Sequence, residues 1–327
     1  MPTIIFYMSP SQKEKFESLK EKVLEKRPFL RRVIKKHGKK TLFDYAEKYI
    51  DVNLNNPIKK RQDEFLSTFR AEVSKRLGDE IADSATRQLE NHYFVSTTDH
   101  HGPLCHPFFI NGSLVAAAPY FEHKDPLLKN VIVLSCANVS LNNSSYPRGL
   151  LFHSYSDGIL RTHRIPFFQA SVRLCPVYNF RAYTQEDMDR FKVALRREVR
   201  ENHLPQNISD KVSAIIDEIY ANPEALACKS FSEQITKTNF KLWKKFFGSY
   251  QWHSPNLIYI DQEELVSRLI INYHLYGDET TITKILFNDD FEELINKYFD
   301  GIMGAFSKKD NYGTYLFWGL PKGEKYR

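Results

Sequence analysis

Side chains that bind metals or carry protons are concentrated between Asp99 and His106. This stretch of eight residues also contains His100, His101 and Cys105, and it follows a short apolar run. Histidine is the commonest metal ligand and the side chain that titrates nearest to neutral pH. An aspartate beside it adds a hard oxygen donor. The composition therefore indicates a metal centre or acid–base chemistry at this point of the chain.

Three of these residues, Asp99, His100 and His106, are the predicted ligands of a divalent metal. Gly102 and Pro103 allow a tight turn, which would bring His106 back toward the other two ligands. One carboxylate and two imidazoles suit Zn, Mn, Fe or Ni, with water completing the coordination shell. Such a metal would activate water or polarise a carbonyl or phosphoryl oxygen.

The adjacent His101 is predicted to act as a general base or acid, because neighbouring residues of an extended chain point in different directions. Two other interpretations of the stretch stay open. It can be a catalytic or ligand-binding loop without metal, or a structural turn whose histidines are satisfied by hydrogen bonds. The sequence contains no HExxH motif, so the spacing is not that of a helical zinc site.

The run Asp99-His100-His101 after an apolar segment resembles the manganese-binding DHH motif of the DHH phosphoesterases. That resemblance covers three residues and implies phosphoester hydrolysis. The family also has an Asp-x-Asp motif after an N-terminal strand, whereas the first 90 residues here have a helical pattern and contain no such motif. The family is therefore not assigned, and phosphoester hydrolysis stays among the possible reactions.

A second polar loop, Ser135–Arg148, follows another apolar run and is rich in hydrogen-bonding side chains. We predict that Asn138, Asn143 and Arg148 bind the substrate, since asparagine orients polar groups and arginine pairs bidentately with carboxylates or phosphates. His153, just beyond the loop, is assigned to the same role. An ordinary surface loop has a similar composition, so that interpretation stays open as well.

Cys136 ends the second apolar run and is another candidate catalytic residue. With His101 as its base, its thiolate would make the protein a metal-free cysteine hydrolase or transferase. The same cysteine can instead be a soft metal ligand or a small buried apolar residue.

The cysteines also bear on the cellular compartment. Four of them are widely separated, without a CxxC pair, which favours a reducing environment and a cytoplasmic location. The N-terminal residues lack the pattern of a signal peptide, and no apolar run is long enough for a membrane span. We therefore expect no membrane partner, and the sequence does not indicate an oligomeric state.

The charge of the chain is uneven along its length. Residues 1–76 carry 19 Lys and Arg against 10 Asp and Glu, although the whole chain has a net charge of only +6. Acids alternate with bases at helical spacing, which is typical of a solvated helix face. A third hypothesis is a non-enzymatic protein that uses these helices to bind an acidic partner, with nucleic acid possible but less favoured.

Helical periodicity dominates up to about residue 91, with Pro28 and Pro57 at positions typical of a first helical turn. Short β-branched apolar runs follow, and residues 148–168 have the pattern of a hairpin with Asp157-Gly158 at its turn. Residues 255–275 indicate a strand, then Asp261 as a helix N-cap, then a helix. Further strands are expected at 169–180 and near 313–319, and a helix over 291–306.

The predicted fold class is α/β or α+β, with a mixed sheet core, an N-terminal helical portion and a helical insertion. The expected division is a basic helical portion, 1–91, and a core, 92–327, with the insertion at about 186–255. In α/β sheets, ligands bind beyond the carboxyl ends of the strands. The two polar loops lie there, so we expect one site in the Asp99–His106 and Ser135–Arg148 loops.

The sequence lacks GxxxxGK[ST], a GxGxxG after a strand, and GxSxG. Nucleotide hydrolysis by a P-loop, classical dinucleotide binding and the usual serine-hydrolase site are therefore disfavoured. The leading hypothesis is a metal-dependent hydrolase or lyase that acts on a small, polar, anionic substrate.

Overall fold

The computed structural model contains two compact units, Met1–Asp51 and Val52–Arg327. The structure describes residues 9–41, 44, 62–92, 95–97, 100–103, 107–123, 125–138, 149–156, 159–168, 176–178, 180–248, 255–274, 290, 297, 306–307 and 312–313.

The described residues of the first unit form the helices α1 (Pro10–Lys26) and α2 (Pro28–His37), which contact each other. Ser9 caps α1: its hydroxyl accepts from the Gln12 amide, and the Gln12 side chain accepts from the Ser9 amide. The expected helix start at Pro28 is confirmed, whereas Pro57 lies outside the described residues.

The second unit combines helices with three two-stranded sheets among the residues described. This confirms the predicted mixed helix-and-sheet class. The helices are α3 (Gln62–Leu77), α4 (Asp79–Asn91), α5 (Pro107–His123), α6 (Gln185–Glu201), α7 (Gln206–Ile215, continued by a π-helical turn Ile216–Tyr220), α8 (Pro223–Leu226), α9 (Phe231–Phe247) and α10 (Gln262–Leu269). The strands are β1 (Asn130–Ser135), β2 (Gly149–Ser156), β3 (Ile159–Pro166), β4 (Asn256–Asp261), β5 (Phe306–Ser307) and β6 (Tyr312–Gly313).

The strands β1 and β4 pair in parallel, from Asn130 opposite Asn256 to Ser135 opposite Asp261. Residues 95–97 and 100–101, here called the edge segment, form parallel bridges to the other edge of β1 at Val133 and Cys136. The carboxyl ends of the edge segment, β1 and β4 therefore lie side by side at the same end of the sheet. The predicted succession of β4, an Asp261 cap and α10 is also confirmed, since the Asp261 carboxylate accepts from the Glu264 amide.

Both faces of this parallel pair are buried, which explains why β1 and β4 are almost continuously apolar. One face, with Val133 and Tyr259, packs in a core that includes residues of α5, α6 and α9. The opposite face, with Ile132 and Ile258, packs in a core that includes residues of α3 and α4.

The expected hairpin is confirmed by the antiparallel pairing of β2 and β3, whose last pair is Ser156 with Ile159. Its two connecting residues, Asp157 and Gly158, lie outside the described residues. So do most of the strand expected at 169–180, the helix expected at 291–306 and the strand expected near 313–319.

Helix α5 was not anticipated from the sequence. It begins at Pro107, a residue typical of a first helical turn, but it has no acidic residue in that turn and contains Pro119, which argues against an uninterrupted helix. The proposed division at residue 91 stays a prediction, although α4, before that point, shares a core with Ile132 of β1. In the described part of the chain, no helix has the length and apolarity needed to cross a membrane.

Both backbone groups of Asn130, the first residue of β1, are bonded by a buried side chain. The Gln88 amide donates to the Asn130 carbonyl at 2.8 Å, and its oxygen accepts from the Asn130 amide at 3.0 Å. Asn130 also donates to Ser84 and accepts from Asn256, so these bonds join α4 to both strands.

Replacing Gln88 with Leu should lower the free energy of unfolding by about 3 kcal/mol, because two buried backbone groups lose their partners. Urea unfolding measures the change. Gln206→Leu is the control, since that side chain is exposed, and its effect should stay within about 0.5 kcal/mol. Equal effects of the two substitutions would contradict the prediction.

Candidate functional site

His101 is fully buried at the carboxyl edge of the parallel strands, with 0% exposure. Its Nδ1 lies 2.7 Å from the Ser135 hydroxyl, and its Nε2 lies 2.9 Å from the Ser232 carbonyl oxygen. A carbonyl oxygen only accepts, so Nε2 carries a proton. The Ser135 hydroxyl can give its single proton either to Nδ1 or to the Ile260 carbonyl at 3.1 Å. The ring also packs against Tyr259.

The Ser232 side chain connects this histidine to a buried ion pair. Its hydroxyl lies 3.1 Å from Nε2 of His101 and donates to the Asp261 carboxylate at 2.5 Å. The same carboxylate oxygen accepts from the Arg76 guanidinium at 2.7 Å, and that guanidinium also donates to Thr236. Residues of the edge segment, β4, α3 and α9 therefore share one continuous polar network.

The two charges of this network are almost inaccessible to water, with Asp261 at 0% and Arg76 at 5% exposure. Burial by itself would raise the pKa of Asp261, but the Arg76 guanidinium, His101 and the Ser232 hydroxyl together lower it to about 2. The carboxylate is thus ionised at neutral pH. In the described structure, Nε of Arg76 has no hydrogen-bond partner.

A polar cavity of about 190 Å³ lies beside this network. Hydroxyl groups and carboxylates line much of it, and burial raises the pKa of Tyr178, so its phenol stays protonated and can donate. The polar lining residues are Arg76, Tyr178, Ser230, Ser232, Asp261 and Glu264. A cavity of this size accommodates a small molecule rather than a dinucleotide.

A second group of contacts surrounds Cys136. The Glu263 carboxylate, in the first turn of α10, accepts from the backbone amides of Ala137 and Asn138 at 2.8 Å each. The Cys136 thiol lies 3.5 Å from the same carboxylate. Burial and the negative charge of Glu263 raise the pKa of this thiol, which disfavours the thiolate form.

The proposed pair of Cys136 and His101 is not supported by a side-chain contact in the described structure. Both ring nitrogens of His101 are engaged with Ser135 and Ser232, and the backbone bond from the His101 amide to the Cys136 carbonyl leaves the thiol uninvolved. The cysteine hypothesis therefore gains no geometric support.

The other predicted site residues fall into two groups. His100 is partly buried, lies opposite Cys136 in a parallel bridge, and its carbonyl accepts from the Tyr259 hydroxyl at 2.6 Å. Asn138 is exposed at the end of β1, and His153 is exposed on the hairpin, 3.1 Å from Thr162. The remaining predicted residues, Asp99, His106, Asn143 and Arg148, lie outside the described residues.

The predicted metal site is consequently not tested by the geometry. Within the part of the chain that the structure describes, no three His, Cys, Asp or Glu side chains are grouped so that they could hold a metal ion. Two of the predicted ligands, Asp99 and His106, are outside that part. The donor chemistry of one carboxylate and two imidazoles still suits a divalent transition metal.

Sequence reasoning missed several residues of this site. Arg76 and Ser232 looked like ordinary helix residues, and Asp261 was assigned only as a helix cap. Glu263 had no local signal, because its partners are about 126 residues away. A faint signal was available for Ser232 and Asp261, since each lies in or next to the first turn of a helix that carries buried residues.

Comparison with known proteins identifies no relative: no family model, curated protein or solved structure matches this chain.

Replacing Asp261 with Asn keeps an oxygen for the helix cap and removes only the negative charge. At neutral pH, we expect the free energy of unfolding to fall by about 3 kcal/mol, because buried Arg76 loses its closest counter-ion and, among the described residues, keeps only Glu72, which is 3.8 Å away. Urea unfolding gives the value. Asp83→Asn, which breaks an exposed pair with Arg70, is the control and should change stability by less than about 0.5 kcal/mol.

The same measurement has an expected pH dependence. The folded-state pKa of Asp261 is about 2, below its ordinary value, so its stabilisation is complete above about pH 4 and is lost as the pH falls toward 2. The stability difference between the parent and Asp261→Asn should therefore shrink below about pH 4. A difference that stays constant down to the acid limit of folding would contradict an ionised Asp261.

The raised pKa of Cys136 predicts slow alkylation at neutral pH. Iodoacetamide should modify it no faster than a thiol in the unfolded chain, and Glu263→Gln should accelerate the reaction by removing the adjacent charge. Peptide mass spectrometry separates this thiol from Cys228, whose pKa burial raises to about 11. Rapid modification of Cys136 in the parent would contradict the raised pKa and support the cysteine hypothesis.

Proposed function

We propose that this protein is an enzyme whose active site lies at the carboxyl ends of the edge segment, β1 and β4, and that it acts on a small polar substrate. The observation that carries the proposal is the buried network of Arg76, Asp261, Ser232, His101 and Ser135 beside a polar cavity.

The energetic cost of this network supports a functional role. Removing an ion pair from water costs several kcal/mol per ion, and apolar residues of similar size would often give equal or greater stability. Here two charges, an imidazole and several hydroxyls occupy the place where α/β folds bind their ligands. We infer that the network is retained because it fixes groups that face the cavity.

Each described residue has a definite part in this proposal. Ser232 and Asp261 line the cavity, and the Ser232 hydroxyl lies between His101 and the Asp261 carboxylate. A proton from Nε2 of His101 would pass to the Ser232 hydroxyl oxygen while the hydroxyl proton passes to Asp261, and the reverse transfer would return it. Arg76 and Asp261 hold that hydroxyl in place. Tyr178 would donate a hydrogen bond to the substrate.

The substrate that we propose carries an anionic group. Because Asp261 already neutralises Arg76, we assign the binding of this anionic group to Arg148, together with Asn138 and Asn143. His153 keeps its proposed role at the rim of the same site. The small cavity limits the part of the substrate that is enclosed.

A divalent metal, Zn, Mn, Fe or Ni, would be held by Asp99, His100 and His106. When bound, it would polarise a substrate oxygen or lower the pKa of a water molecule, which suits a hydrolase or a lyase. The chain contributes by fixing the backbone of His100, whose carbonyl is bonded by Tyr259 and whose neighbour His101 is bonded at both ring nitrogens. A cytoplasmic location belongs to the same proposal and is compatible with the free thiols of Cys136 and Cys228.

Elemental analysis of protein purified without a histidine tag tests the proposal. We expect about one metal ion per chain in the parent and much less in His100→Ala and His106→Ala. His153→Ala is the matched control, because that histidine is exposed on the hairpin, and its metal content should equal that of the parent. Thermal unfolding verifies that each variant is folded.

Two results would contradict the proposed metal site. If folded parent protein takes up no metal after incubation with Zn, Mn, Fe and Ni in turn, the metal-dependent activity is wrong. If metal binds equally well to all three variants, the ligand assignment is wrong.

A further inference from the structure

The helices α1 and α2 carry an unusual number of exposed large apolar side chains. Phe29 is 66% exposed, Leu19 is 62% exposed and Phe16 is 50% exposed. Val23, Leu30 and Ile34 add to this set, whereas Leu24 is the buried residue of α1. Monomeric soluble proteins rarely expose large contiguous apolar patches, and such patches commonly mark interaction sites.

The apolar and basic residues of α2 are separated onto opposite faces. At about 100° per residue, Phe29, Leu30, Val33 and Ile34 fall within an arc of roughly 140°. The remaining arc carries the basic residues Arg31, Arg32, Lys35 and Lys36. Val33 is half-buried, whereas Phe29, Leu30 and Ile34 are exposed, so most of the apolar arc is uncovered in the described structure.

Helix α1 has a similar apolar strip. Phe16, Leu19 and Val23 follow each other at spacings of three and four residues, so they lie on one face. Two helices that contact each other and each expose such a strip offer apolar surface that a third helix can cover.

The charge around the apolar arc of α2 selects the kind of partner. Helix α1 carries both acids and bases, whereas residues 27–40 contain seven Lys and Arg and no Asp or Glu. Two copies of α2 facing each other would bring these like charges together, which disfavours self-association through this helix. A nucleic acid would satisfy the basic face through its phosphates, but it would leave the apolar arc of α2 in water.

An acidic amphipathic helix satisfies both faces at once. Its apolar side would cover the strips of α1 and α2, and its carboxylates would meet the basic residues along the rim. We propose that α1 and α2 are a docking surface for an acidic amphipathic helix of a partner protein. This inference is independent of the proposed active site in the second unit.

The test uses the full chain and a synthetic helical peptide of three heptads, with leucine at the apolar positions and glutamate beside them. We expect binding by fluorescence anisotropy that weakens as salt is raised, because part of the attraction is between exposed charges. A peptide with lysine in place of glutamate should not bind.

Substitutions locate the surface. Phe29→Ser with Ile34→Ser should weaken peptide binding at least about tenfold, since buried apolar anchors dominate such interfaces. Lys35→Glu with Lys36→Glu should weaken it as well. The control is Val193→Ser, which alters a 63% exposed valine on α6 and should leave binding unchanged. All affected residues are exposed, so circular dichroism should show that the variants remain folded.

Three results would overturn the inference. The first is no peptide binding at low salt, and the second is binding that the α2 substitutions do not alter. The third is that the glutamate peptide does not bind, whereas the same residues bind duplex DNA or vesicles of phosphatidylcholine and phosphatidylserine. That result would assign the surface to a different class of partner.

Discussion

The ion pair between Asp261 and Arg76 is the interaction on which the second unit depends most. Asp261 ends β4, caps α10 and accepts hydrogen bonds from α3 and α9, so a single carboxylate joins four elements. A buried charge is tolerable only when it is paired and hydrogen-bonded. The positions of α3 and α9 relative to the sheet edge are therefore set by the need to satisfy this group, and His101 is held in place by the same bonds.

The parallel strands provide the rigid base for that arrangement. Because both faces of β1 and β4 are covered by helices, the strands contribute apolar side chains until their last residues, where Ser135 and Asp261 replace them. The change from apolar to polar residues occurs at the same level in both strands. A fixed polar cluster results at one edge, and Glu263 fastens the chain that leaves β1 by bonding two consecutive amides.

Much of this fold was predictable from local patterns, and the site was predictable only in part. The strand β1, the hairpin, and the succession of β4, Asp261 and α10 each carry a short-range signal of alternation, turn residues or capping. His101 was found because histidines are dense around it. The rest of its network was not, because Arg76 and Ser232 belong to helices whose spacing gives no sign of their distant contacts. Arg76 bonds Thr236, 160 residues away, and Ser232 contacts His101, 131 residues away. Such contacts follow from topology, which composition does not encode.

The separation of β1 from β4 has a consequence for the synthesis of this chain. Ser135 and Ile260, which bond across the pair, are 125 residues apart. At ordinary rates of translation, β1 emerges roughly 6 to 25 s before its partner strand exists. During that interval an apolar segment waits without the strand that will cover one of its edges, and unpaired apolar strands are prone to aggregation. Nascent chains of this protein therefore depend on the hairpin and helices made in between, or on chaperones, to shield β1.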